Sequence, residues 1–334
     1  MPVRLTYPTR RGRLFVAFQL VAAAGFLGFL GYALRDVWAD ALPRLRDADI
    51  SDLGVALALL AAYYLLFVVG WQWLLAALGV RVGYWLALQA EMASMLAKYV
   101  PGGIWTPLAR IVWLRRAGVR DTPVVAGSIL LEGGLSALSG LLVFALGLLW
   151  VGDADVPALP LGAFGLVVAT LVHPRVYVPL TRPVFRRFGA EPPVLPYRTA
   201  LPLLAYYCGT WLVGGAALLF LVRSVGGEPG WSSVPYLGGT AAVGAIVAVL
   251  SIIAPSGLGV REGSMYGLML AVVSEGVALG ATILNRLAIT LVEALLLAYG
   301  VAAWRLRARQ VPVRDPEGGE AVPRPTGYGT RGPA

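Results

Sequence analysis

Apolar runs long enough to cross a bilayer recur through most of this chain, and no other feature restricts its fold as strongly. Residues 14–34, 53–78, 122–150, 157–180, 200–222, 234–253 and 277–304 are each mostly apolar. Each reaches the roughly twenty residues that span about 30 Å of hydrocarbon as an α-helix. A chain of 334 residues that is 58% hydrophobic and 13% charged, with a mean hydropathy of +0.74, cannot hide that surface in a water-soluble core. The expected fold is all-α, a polytopic integral membrane helical bundle.

Charge orients it. The net charge of +9 would fit nucleic acid if the arginines shared one soluble face. They lie instead between and beside the apolar runs, as the positive-inside rule requires, so nucleic acid is discounted as a partner. Arg4, Arg10, Arg11 and Arg13 precede the first run, giving a cytoplasmic N-terminus over 1–13 and an outward first helix. A signal peptide competes, because Ala39-Asp40-Ala41 resembles a cleavage site, but the run is longer than a usual signal core. Asp36, Asp40, Asp47, Asp49 and Asp52 suit the outer side, as do Asp153 and Asp155. Arg115, Arg116 and Arg120, a proline-rich loop with Arg182, Arg186, Arg187 and Arg198, and finally Arg305, Arg307 and Arg309 suit the cytoplasm.

Two stretches break the pattern of full-length spans. Residues 84–98 and 104–114 are too short to cross and are separated by Pro101, Gly102 and Gly103, so a re-entrant hairpin is expected. Residues 254–263 read A-P-S-G-L-G-V-R-E-G, and 257–263 are expected to join 264–273 in a broken segment running outward to Glu275. The total is about eight transmembrane helices plus the hairpin, with both termini cytoplasmic in a cell-membrane protein. The core domain covers 14–305, and 306–334, rich in Pro, Gly and charge, is expected to be disordered.

The second break is where chemistry is expected. Gly257, Gly259 and Gly263 let backbone approach a ligand, and a helix starting near Gly259 would aim N–H groups at an anion. Arg261 would add a bidentate clamp for phosphate. Pro101 to Gly103 with Arg110, and Pro255 with Arg261, are interruptions in the two halves of the chain, a pointer to a transport site at a repeat interface. The bland alternative is a tight loop in which Arg261 and Glu262 pair with each other.

Ionisable residues at membrane depth are costly and need partners. The set is Glu91, Lys98, Arg110, Glu132, Arg261, Glu262, Arg286 and Glu293. Glu91 and Lys98 share one helical face by their spacing of seven, and so do Arg286 and Glu293; charge neutralisation inside the bundle and snorkelling both account for them. Glu132, beside Gly133 and Gly134 on a segment carrying Ser128, Ser136 and Ser139, requires an arginine or a proton. The candidate headgroup-binding residues are Arg110, Glu132, Gly257, Gly259, Arg261, Glu262 and Arg286, with Pro101, Gly102, Gly103 and Pro255 as structural breaks. No catalytic residue is assigned. Metalloprotease, hydrolase-elbow and phosphate-loop motifs are missing, Cys208 is the single cysteine and His173 the single histidine, and no cofactor or metal is expected.

K-Y-V-P-G-G-I-W at 98–105, R-I-V-W-L-R-R-A-G-V at 110–119, Glu132, P-S-G-L-G-V-R-E-G at 255–263 and L-N-R at 284–286 resemble the transmembrane region of lysylphosphatidylglycerol synthases. This is the flippase-like domain of the multiple peptide resistance factors. The resemblance implies a protein that moves lipids between leaflets, here as a stand-alone member without the aminoacyl-transferase domain, so aminoacylation is not carried over. Gly133 stands where many members have an arginine after the buried glutamate, so Glu132 must find another arginine.

The leading expectation is a translocase for an anionic or aminoacylated phospholipid or a polyprenyl lipid. In it Arg261 and Arg110 bind phosphate, and Glu132 and Glu262 orient them or meet a cationic headgroup. The rivals are a membrane-embedded headgroup transferase and a non-transporting partner subunit of an envelope-lipid biosynthetic enzyme. Oligomeric state is left open.

Overall fold

The computed structural model describes residues 38–97, 105–151, 158–187, 191–251, 257 and 259–310, and all regular structure among them is helical, as expected. Lipid offers the backbone no partner but itself, so apolar segments close their own hydrogen bonds as helices. After a short α1 (Trp38–Arg46), the side chain of Asp49 accepts from Asp52 N–H at 2.9 Å and starts α2 (Ile50–Ala77). Gly79, with φ of 86°, turns the chain out of it. Asp121 and the following proline start α5 (Thr122–Gly147) in the same way, and a 3₁₀ turn extends it to Trp150.

Five segments are long and apolar enough to cross a membrane: Ile50–Ala77, Thr122–Trp150, Tyr197–Ser224, Trp231–Leu250 and Glu275–Gly300. They contain α2, α5, α8 (Tyr197–Ser224), α9 (Val234–Leu250) and the N-terminal part of α11 (Glu275–Gln310). The chain is thus a multi-pass membrane protein. The predicted first span, residues 14–34, the breaks Pro101, Gly102, Gly103 and Pro255, Lys98, and residues 311–334 lie outside the described residues.

The uninterrupted span expected over 157–180 is not formed. The chain makes α6 (Ala158–Leu171) and α7 (Pro174–Arg187), whose facing segments are bent by 63°. Pro174 has no N–H to donate and disfavours helix in the residue before it, so the first helix stops and a second begins. Arg182, Arg186 and Arg187, expected on a loop, belong to α7.

Helices α3 (Tyr84–Ala97) and α4 (Trp105–Arg116) are both too short to cross, and they pack on each other. Helix α10 (Val260–Met269) has ten residues, about 15 Å at 1.5 Å per residue, half a bilayer. It runs antiparallel to α9: Gly244 faces Met265 and the stem of Arg261, and Tyr236 Oη donates to Leu268 O at 2.9 Å.

Helix α9 is wedged between α5 and α8 through glycines. A Cβ on Gly239 would fall on the backbone of Phe144, one on Gly147 on that of Tyr236, and one on Gly238 on the carbonyl of Trp211. Between helices surrounded by lipid, small residues are what allow backbones this close. On the other side of α8, Gly70 of α2 makes room for the ring of Tyr207.

Candidate functional site

Helical periodicity turns Arg110 and Leu114 of α4 inward together, one turn apart. The guanidinium then becomes the meeting point of four helices. Its Nη1 donates to Glu132 Oε2 of α5 at 2.5 Å, its Nη2 donates to Glu91 Oε1 of α3, and its Nε reaches Ser94 Oγ at 3.4 Å. The indole of Trp71 on α2 lies against its face, 4.8 Å from the guanidinium carbon, and is fixed by donating to Ser128 Oγ at 3.0 Å. Arginine suits this place because one planar group serves two carboxylates and a ring at once.

This answers where Glu132 finds its arginine: Arg110, 22 residues earlier. Glu91, Glu132 and Arg110 are 3%, 3% and 7% exposed. Each carboxylate is nevertheless half used, since Glu91 Oε2 and Glu132 Oε1 are buried without a hydrogen-bond partner. Of the face-sharing pairs seven apart, Lys98 lies outside the described residues, and Arg286 and Glu293 turn to other partners. Glu91 goes to Arg110, Glu293 accepts from Tyr64 Oη at 2.6 Å, and Arg286 goes to Glu262.

At the second break, Gly257 and Gly259 have φ of 65° and 81°. A side chain at either is strained, and at 257 it would also collide with Ala248. Gly259 caps α10, and Glu262, three residues on, reaches back to accept from its N–H at 2.7 Å. Arg286 Nη1 of α11 donates to the other oxygen of Glu262 at 3.2 Å. The Gly259 N–H, expected to aim at an anion, is therefore taken by Glu262.

Neighbours on a helix point about 100° apart. Arg261 accordingly does not pair with Glu262. It turns between α9 and α11 into the bundle, makes no ion pair among the described residues, and buries its Nε without a partner.

Arg261 and Arg110 face one cavity of about 240 Å³, whose walls also include Glu91, Tyr63, Tyr64 and Trp211. Residues flanking the two breaks, 151 positions apart in the chain at Arg110 and Arg261, thus reach one chamber. Glu132 stands behind Arg110 and braces it. Gly257, Gly259, Glu262 and Arg286 hold the start of α10, and none of them lines the cavity. The volume is below that of most drug-sized pockets.

Sequence reasoning named Glu91 as ionisable but not as part of the site, and it missed the aromatic wall. Tyr63, Tyr64, Phe67 and Trp71 recur at helical spacing along 53–78, a signal that could have placed them on one inward stripe.

The family described as Lysylphosphatidylglycerol synthase TM region matches residues 16–296 of the chain. No curated protein matches it.

Proposed function

The chain belongs to the lysylphosphatidylglycerol synthase TM region family, and from that premise we propose that it is a lipid translocase that receives a phosphate-bearing headgroup in the cavity between Arg110 and Arg261. The observation that carries this reading is Arg261. A cation with a buried, unpartnered Nε inside a membrane bundle is expensive, and an anionic ligand offsets that cost. Arg110 lines the same chamber but is held by two carboxylates, so it shapes the site while Arg261 takes the phosphate.

Anionic and aminoacylated phospholipids and polyprenyl phosphates all carry the phosphate this arrangement would bind, while their chains stay in lipid. The test is leaflet exchange of fluorescent phosphatidylglycerol, its lysyl ester and a polyprenyl phosphate in proteoliposomes, with Arg261→Ala beside the unaltered chain. Exchange of at least one lipid, lost in a variant that keeps its helical circular dichroism and elution volume, is expected. Normal exchange by Arg261→Ala overturns the assignment.

A further inference from the structure

Two carboxylates and one guanidinium give the Glu91, Arg110 and Glu132 cluster a formal charge of −1, held where both carboxylates are 3% exposed. A net charge in so dry a place needs compensation nearby. The groups around it come from every neighbouring helix. Helix α2 presents Trp71, Tyr63 and Tyr64, α3 presents Ser94, and α8 presents Tyr207, whose Oη has no partner. Helix α11 presents Glu293, which accepts from Tyr64. Besides Arg110, the cation lining this cavity is Arg261 on α10, which forms no ion pair with either carboxylate. Tyr63, Glu91, Arg110 and Arg261 line one cavity, which places the opposite charges in one shared field.

A phosphate bound at Arg261 would cancel the charge that balances the cluster. We infer that the Glu91, Arg110 and Glu132 cluster takes up one proton when an anionic headgroup binds Arg261, so that headgroup and proton cross together. This rests on the translocase reading. The proton comes from water and forms an O–H bond on a carboxylate oxygen that lacks a partner, Glu91 Oε2 or Glu132 Oε1. It returns to water when the headgroup leaves, and no bond of the lipid is broken. Linkage is reciprocal, so acid strengthens anion binding and anion binding strengthens proton binding. For one coupled proton, affinity falls by at most about tenfold per pH unit as pH rises through the range where the cluster titrates.

Two measurements on the full chain test this. In weakly buffered detergent, adding phosphatidylglycerol should draw close to one proton per lipid bound, read with a pH indicator, and Glu132→Gln should reduce that uptake. If Glu132→Gln does not fold, Glu91→Gln serves instead. In vesicles with a trapped pH dye, exchange of fluorescent phosphatidylglycerol should rise as pH falls, and an imposed pH gradient should drive net movement of the label. Exchange that ignores pH and gradient, with lipid binding that takes up no proton, overturns the coupling and leaves the translocase reading standing. No exchange at any pH overturns both.

Discussion

Arg110 Nη1 meets Glu132 Oε2 at 2.5 Å across the α4–α5 interface, and the other Nη of the same guanidinium holds Glu91 of α3. One side chain therefore fastens the short α3–α4 pair to the long helices.

Removing that side chain strands two buried carboxylates, and breaking a buried charge pair costs about 3–5 kcal/mol. Arg110→Ala should lower the thermal unfolding midpoint in detergent and the yield of folded protein. Arg110→Lys should recover only part, because an ammonium does not serve two carboxylates and an indole face together. An unfolding midpoint for Arg110→Ala equal to that of the unaltered chain would contradict the arrangement.

Arg261 predicts a different pattern, since no described residue is paired with it. Arg261→Ala should lower the unfolding midpoint far less than Arg110→Ala does, while abolishing lipid exchange. Arg261→Lys keeps the charge and loses the bidentate fork, so exchange should be slowed rather than abolished. Thermal melts and exchange assays on the same preparations separate the two effects.

Glu262 acts on α10 through its cap on Gly259 and its pair with Arg286. Losing a helix cap costs about 0.5–2 kcal/mol. Glu262→Ala should accelerate amide exchange over 259–263, measured by deuterium uptake, while the α5–α9 contact stays protected. Glu262→Gln keeps an acceptor for the Gly259 N–H and should fall between the two.

Glycines divide into those that admit another backbone and those that do not. Gly239→Ala drives a methyl into Phe144, and overpacking costs about 1–3 kcal/mol. Gly209 on α8 has nothing within 4 Å of an added Cβ, so Gly209→Ala should be neutral or stabilising by up to about 1 kcal/mol. Melting the two variants side by side checks the contrast.

The long helices were legible because each apolar run is long enough to cross a bilayer. The helix start expected near Gly259 is where α10 opens, whereas the caps that Asp49 and Asp121 supply to α2 and α5 were not read from the sequence. The bend between α6 and α7 was not legible, because apolar composition continues through it and only Pro174 marks the break. The inward faces were the least legible part. A helix with lipid on one side and protein on the other is apolar all round, so the moment that identifies a buried face in water is nearly lost. Only polar groups betray such a face: Glu132 and Arg110 were found, while Tyr63, Tyr64 and Trp211 looked like ordinary apolar residues.

The interlock of α5, α8 and α9 has a mechanical consequence. Where Gly239 meets Phe144, Gly147 meets Tyr236 and Gly238 meets Trp211, backbone bears directly on backbone, with no side-chain rotamers between them to absorb sliding. These three helices form a rigid block. On the translocase reading proposed above, opening of the cavity falls to α10, the short helix that carries Arg261, because α3 and α4 are fastened to the long helices through Arg110.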